Sequence, residues 1–433
     1  MRLNYARTFL LGCAYLSVQV LFAIYNAYVP IFLQSGRADF SETSPVPGGF
    51  GLGAALAGFI MTLDNLAALL ILPLIGALSD ATTSRLGKRK PYILAGAPIA
   101  ALAFAIMPFM LGQPLALFML VVVALVLAVD IIRTPIISLM PDITPSPLRS
   151  QANGVINFMG GVGAVLAFLI GGVLYQQSTI APFLFGAAVL LVGCLLVVVL
   201  VPVPAQGDTA YGAGQGRRPL RHAIRDQLSA FQDLHAARRQ GDRSLLALLG
   251  AIFCLFLAYS ALTVFFTSFA LDSLRVARGQ ESQLLTFFAL AIVVFALPTG
   301  LISARIGRRR ATLGGVLTLA AALAMIGLAT DLAMIRGLLI LAGAGWALIT
   351  VNALPMVLDS APPDRLEQIG IYTGIYFLAT QSAEVIGPVL VGGFLDLTGR
   401  NYRFIFAYTL IVLAAALAML LVVRRGEARV LAE

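Results

Sequence analysis

Four ionisable residues stand where charge is least easily tolerated: Asp64, Asp130, Arg133 and Glu384 each fall near the middle of a long apolar stretch. A charged group at the centre of a membrane helix costs at least about 2.5 kcal/mol on insertion scales, which makes such residues functional candidates by default. Asp130 and Arg133 are three residues apart, the helical spacing that puts two side chains on one face within salt-bridge reach. The pair reads as a proton-coupling device, in which protonating Asp130 releases Arg133 to a substrate hydroxyl or another partner. The competing reading is a static pair that only permits two charges to be buried. Asp64 has Asn65 beside it and no basic neighbour in sequence; it suits either proton carriage or hydrogen-bonded helix packing. Glu384 follows Gln381 by one turn and shares its face, so the two could accept hydroxyl hydrogen bonds or form a second titrating site.

The elements that must position these groups are set by composition. Of 433 residues, 60% are hydrophobic and 11% charged, with a mean hydropathy of +0.94, against about 25% charged in a soluble domain. Apolar runs long enough to cross about 30 Å of hydrocarbon predict an all-α membrane protein of twelve spans, near 8–33, 50–79, 92–111, 115–138, 150–176, 181–202, 244–271, 282–303, 311–330, 335–358, 368–395 and 402–423. The first span is too long for a signal-peptide core and lacks a small-residue cleavage site, so it reads as an uncleaved helix.

An even number of spans puts both termini on one side. That side carries most of the Lys and Arg, whereas only Arg37, Arg275, Arg278, Arg336, Arg400 and Arg403 fall opposite. The asymmetry predicts cytoplasmic termini, in an integral, multi-pass arrangement expected in a bacterial inner (plasma) membrane. It also gives the net charge of +9 a cause other than nucleic acid. The one long polar stretch, 203–243, reads as a basic cytoplasmic linker drawn to anionic headgroups. It separates an N-terminal six-helix bundle, 1–202, from a C-terminal one, 244–433.

The two halves resemble each other. After the second span the chain reads Gly76-Ala-Leu-Ser-Asp80 and then Arg85-Leu-Gly-Lys-Arg-Lys90; after the eighth it reads Gly300-Leu-Ile-Ser-Ala-Arg305-Ile-Gly-Arg-Arg-Arg310. The fourth span ends in Leu139-Met-Pro-Asp142 and the tenth near Leu358-Asp359, each followed by prolines and an arginine; Gly171-Gly172 and Gly392-Gly393 punctuate the helices after them. Such duplication points to a secondary transporter.

On these motifs the chain resembles the major facilitator superfamily, with its pseudo-symmetric pair of six-helix bundles. Ser79-Asp80, Ser84-Arg85-Leu-Gly-Lys-Arg-Lys-Pro-Tyr-Ile93, Arg133-Thr-Pro135, Leu139-Met-Pro-Asp142 and Arg149-Ser-Gln-Ala-Asn-Gly154 look most like the proton-coupled sugar carriers related to plant sucrose transporters, and also like the glycoside, pentoside and hexuronide cation symporters. The sodium-site carboxylates of melibiose-type symporters have no counterpart before Pro73, where the chain reads Ala67-Ala-Leu-Leu-Ile-Leu72; protons are the expected coupling ion. The resemblance implies proton-coupled symport of a sugar or glycoside by alternating access. It gives Arg133 a role in substrate and proton coupling, beside Asp130, Asp64 and Glu384, which are proton-coupling candidates by their place within the spans. Because helices 1, 4, 7 and 10 line the cavity in the family, it implies substrate contact for Tyr25, Asn26, Arg133, Tyr259 and Asn352, with Thr263 and Trp346 on the same helices and Asn157, Gln381, Tyr372 and Tyr376 on helices 5 and 11 as further candidates. Asp80, Arg85, Gly87, Lys88, Arg89 and Lys90 are implied to form a gating motif that biases conformation without touching substrate.

Other functions have less support. Cys13, Cys194 and Cys254 lie in apolar stretches, and His222 and His235 have no partners at metal-ligand spacing. No Gly-Lys-Ser/Thr loop offers a nucleotide site. An enzyme, a cofactor and a nucleic-acid partner are therefore not expected; the expected partners are a small sugar-like molecule, protons and lipid, with the chain acting as a monomer. A proton-driven antiporter exporting small amphipathic compounds is the main alternative, and a non-transporting membrane sensor a more distant one.

Overall fold

The computed structural model describes residues 4–37, 46–144, 149–202, 244–360, 369–399 and 401–423; the expected linker, 203–243, lies outside them. The helices are α1 (Tyr5–Gln34), α2 (Ala54–Met61), α3 (Leu63–Ala81), α4 (Lys90–Ile106), α5 (Leu115–Ile143), α6 (Arg149–Gln177), α7 (Ala181–Leu200), α8 (Ser244–Asp272), α9 (Gln280–Ile306), α10 (Arg308–Leu328), α11 (Leu332–Asp359), α12 (Ile369–Leu397) and α13 (Phe404–Val422). Among the described residues, ten helices are long and apolar enough to cross a bilayer, and the shorter apolar stretches Ala54–Ala68 and Gln280–Ala296 fall at the second and eighth expected spans. Among the described residues there is no strand, as hydrocarbon requires when every backbone amide must be satisfied within a helix or a closed barrel. Large apolar side chains such as Leu120, Val199 and Leu301 are 65%, 65% and 70% exposed; they face the solvent this fold is built for, which is lipid.

The second span is broken. α2 stops at Met61, the Thr62 hydroxyl donates to the Phe59 carbonyl at 2.8 Å, and α3 begins at Leu63. This puts Asp64 in the first turn of α3, beside the unpaired amides and positive dipole end of a helix N-terminus. No Gly or Pro marks the break, and it was not expected from the sequence.

The chain forms two compact units. The first comprises residues 1–52, 63–221 and 275–286; the second comprises 53–62, 222–274 and 287–433. In the first, α1 packs on α6 and α7, α4 on α5 and α7, and α3 on α5. Its aromatic core stacks Tyr28 on Tyr175 at 4.1 Å and Phe32 on Phe183 at 5.3 Å. In the second, α8 packs on α12 and α13, α10 on α11 and α13, and α2 on α12. Two short segments thus sit apart from their chain neighbours: 53–62 belongs to the second unit although α1 and α3 belong to the first, and 275–286 belongs to the first although α8 belongs to the second.

Candidate functional site

In the first unit, α1, α3 and α5 bring Asp64 close to Tyr25, Asp130 and Arg133, and Asp130 close to Arg133. Tyr25 and Asp130 are each 2% exposed. The Tyr25 hydroxyl, one Asp64 oxygen and one Asp130 oxygen are buried with no hydrogen-bond partner among the described residues. The salt bridge expected between Asp130 and Arg133 is not formed: no nitrogen–oxygen distance between Arg133 and either aspartate falls within 4.0 Å. Helical spacing brings two side chains to one face, but a long guanidinium can still turn elsewhere, and Arg133 lies over the Phe22 ring of α1 at 5.5 Å, a cation–π arrangement that needs no carboxylate. The cluster holds two carboxyls and one permanent cation, so it is electrically neutral with one proton on the carboxyl pair.

In the second unit, Tyr259 of α8 and Trp346 of α11 stack face to face, with centroids 4.6 Å apart and planes 4° from parallel. Phe256, one turn before Tyr259, sets its edge against Tyr259, Trp346 and Tyr376 at 6.2, 5.5 and 6.4 Å. Glu384 on α12 lies within electrostatic reach of both Tyr259 and Tyr376. Tyr259 and Gln381 are half-buried and Trp346 is buried. Flat apolar ring faces beside a carboxylate acceptor suit a molecule with both C–H faces and hydroxyl groups. The sequence reading missed Phe256, although its three-residue offset from Tyr259 was a usable signal.

The remaining candidates are dispersed. Asn352, expected to meet substrate, is 2% exposed, and its amide donates at 2.8 Å to both the Ser303 hydroxyl and the Leu348 carbonyl. It ties α11 to α9, which leaves its N–H groups committed within the protein. Asn26 is half-buried on α1, Asn157 is exposed on α6, and the Thr263 hydroxyl donates to the backbone of its own helix. The side chains of Asp80 and Tyr372 lie outside the described residues.

The basic loop after α3 is tied down by an aspartate the sequence reading quoted but did not pair. Asp142, at the end of α5, accepts from the Arg89 Nε at 3.0 Å and lies 3.2 Å from the Lys88 Nζ. Arg89 is 5% exposed and also donates to the Ser79 hydroxyl; Lys90 is buried and Arg85 exposed. The second half repeats the device, for Arg308 is ion-paired with Asp359 at the end of α11. The glycines of the two loops match as well: Gly87 has φ +82° and Gly307 φ +88°, a left-handed conformation that only glycine adopts without strain.

Duplicated loops, apolar helices throughout and buried charge inside them define a multi-pass membrane transporter. A sequence model of the Major Facilitator Superfamily matches residues 9–277 and 248–432, and the chain belongs to that family. It is 33% identical over 138 residues to the MFS-type transporter ppzB of Metarhizium majus (strain ARSEF 297), a match covering 32% of this chain and 29% of that protein's length. Solute carrier family 45 member 3 of Mus musculus is 25% identical over 348 residues, 70% of this chain and 63% of the relative. Proton-associated sugar transporter A of Homo sapiens is 24% identical over 216 residues, 44% of this chain and 27% of the relative. Among solved structures, a mutant of the nucleoside transporter NupG superposes with a TM-score of 0.68 at 16% identity, covering 95% of this chain and 99% of that one. A bacterial homologue of the human lysosomal transporter Spinster gives 0.68 at 14%, covering 98% and 96%. These similarities establish the fold.

Proposed function

We propose that this transporter carries a sugar or glycoside together with a proton, by alternating access of the bundles 1–202 and 244–433 joined through 203–243, in a bacterial inner membrane with both termini cytoplasmic. The observation that carries the reading is the Tyr25, Asp64, Asp130 and Arg133 cluster. An uncompensated charge inside a membrane is costly, and two carboxyls around one guanidinium balance only when one proton is bound. Proton occupancy therefore sets whether Arg133 and a carboxylate present surplus charge toward substrate. The Phe256, Tyr259, Trp346 and Tyr376 rings with Glu384 supply the stacking surface and acceptor that a pyranose requires. The name of the human relative, a proton-associated sugar transporter, agrees with both halves of the proposal.

The test is uptake by purified protein in liposomes against a panel of labelled sugars, with and without an imposed pH gradient. Accumulation above equilibrium that follows an inward proton gradient, collapses with a protonophore and ignores sodium is expected. Strict sodium dependence at constant pH would overturn the coupling ion. Transport of organic cations but of no sugar would instead assign the aromatic rings and Glu384 to cation recognition.

A further inference from the structure

The turn between α9 and α10 carries four arginines, Arg305, Arg308, Arg309 and Arg310, and no acidic residue. The first half differs in its own sequence, for Asp80 stands where the second half has Ala304. Two of the four arginines are engaged within the protein. Arg308 is ion-paired with Asp359. Arg309 reaches the end of α13, where it donates to the Leu420 carbonyl at 3.2 Å and to the Leu421 carbonyl at 2.8 Å. Arg305 and Arg310 are exposed, and among the described residues no ion pair or hydrogen bond holds either one.

Each of these two stands at the end of an exposed apolar face. On α9, Leu301 lies one turn before Arg305, and Ile302 one turn before Ile306; the three apolar side chains are 70%, 40% and 47% exposed. On α10, Arg310, Gly314, Leu317, Ala321 and Met325 follow at three- and four-residue intervals, the spacing of one helical face, and all five are exposed. A Cβ on Gly314 would meet nothing within 4 Å, so open space adjoins Arg310 one turn further along that face. A single residue, Gly307, separates the two helices, which puts both arginines at the same membrane boundary. A guanidinium there keeps its stem along apolar surface and its charge at the depth of the headgroups.

We propose that the Arg305–Arg310 turn is a docking surface for an anionic phospholipid, whose headgroup phosphate the two arginines take while its acyl chains lie along the exposed faces of α9 and α10. Charge complementarity selects this occupant. A zwitterionic lipid brings no net charge to two exposed cations, and inorganic phosphate leaves the apolar faces unfilled; phosphatidylglycerol brings one negative charge and two apolar chains in one molecule. The inference holds whichever solute is carried.

The test titrates the whole chain in detergent with phosphatidylglycerol, and in parallel with phosphatidylcholine of the same chain length, and reads bound lipid by native mass spectrometry. The parent should prefer phosphatidylglycerol. Arg305→Gln and Arg310→Gln should each weaken that binding about fivefold, and the double variant about thirtyfold, the factors equivalent to about 1 kcal/mol for each basic residue at an anionic surface. Binding of phosphatidylcholine should not change, and Arg305→Lys with Arg310→Lys, which keeps both charges, should behave as the parent does. Arg336→Gln is the control, because it removes an exposed arginine from the end of α11 opposite Asp359. Weakening as large in that variant would reduce the effect to net charge, and an unchanged double glutamine variant would show that the turn holds no lipid; either result overturns the proposal. Displacement of the bound lipid by an equal concentration of inorganic phosphate would assign the surface to free anions and overturn it as well.

Discussion

Asp130→Asn is the sharpest probe of the charge balance in the first unit. The parent cluster, with Asp64, Asp130 and one guanidinium from Arg133, needs one proton for neutrality; the variant, with Asp64 and Arg133 alone, needs none. The introduced asparagine keeps the size of a side chain that is 2% exposed and can still hydrogen-bond, so packing is largely conserved. One proton moving down a gradient of one pH unit supplies about 1.4 kcal/mol, enough for about tenfold accumulation of a co-transported solute. In liposomes with the interior one unit more alkaline, the parent should therefore approach about tenfold accumulation, while Asp130→Asn should stop near onefold. Exchange of internal for external labelled sugar, which needs no net proton movement, should persist in the variant. Accumulation of about tenfold by Asp130→Asn would refute the assignment of the proton to this residue. Accumulation lost in Asp64→Asn but kept in Asp130→Asn would move it to the other carboxyl.

Arg133→Leu leaves two carboxyls without their cation and should impair both sugar binding and gradient-driven uptake; unchanged binding by calorimetry would remove Arg133 from substrate contact. Asp142→Asn breaks contacts with both Lys88 and Arg89 and should slow transport while leaving sugar affinity within a few-fold, the outcome a gating loop that biases conformation would give; loss of binding in folded protein would contradict that expectation. Tyr259→Ala removes a ring stacked at 4.6 Å on Trp346 and should weaken sugar affinity several-fold, with Tyr259→Phe close to the parent; equal weakening by both would assign the role to the hydroxyl. Asn352→Ala deletes a buried donor to Ser303 and Leu348 and should cost about 1–3 kcal/mol of stability, read as a lower melting temperature with affinity intact.

Most of the helical layout was legible because hydrocarbon enforces length and apolarity: the expected spans 181–202 and 244–271 became Ala181–Leu200 and Ser244–Asp272. The break at Thr62 was hidden, since Thr is no helix breaker and its hydroxyl bonds only within its own turn. Three-residue spacing put Asp130 and Arg133 on one face but carried no information about α1, whose Phe22 draws the guanidinium. Asn352 is a polar residue in an apolar helix, and only the neighbouring helix reveals that Ser303 takes its amide. The Lys88–Asp142 and Arg308–Asp359 pairs were within reach, because the repeated motifs place a basic loop and an aspartate at matching points of both halves. The two segments that sit apart from their chain neighbours, 53–62 and 275–286, were not, for they depend on contacts between residues hundreds of positions apart.

That separation has a consequence for how the chain is made. The Ala55 amide, in the first turn of α2, donates to Asp396 of α12, 341 residues downstream, so a ribosome delivering helices in order inserts α2 long before α12 exists. Through most of synthesis α2 must rest against lipid or an insertion chaperone, and long-range closure of this kind is slow and exposed to mispairing. The membrane-embedded N-terminal half, released alone, would carry a helix start without that acceptor. Supplying α12 later, on a separately expressed C-terminal half, should complete it, making this transporter a chain whose earliest helices reach their final state only when its last ones arrive.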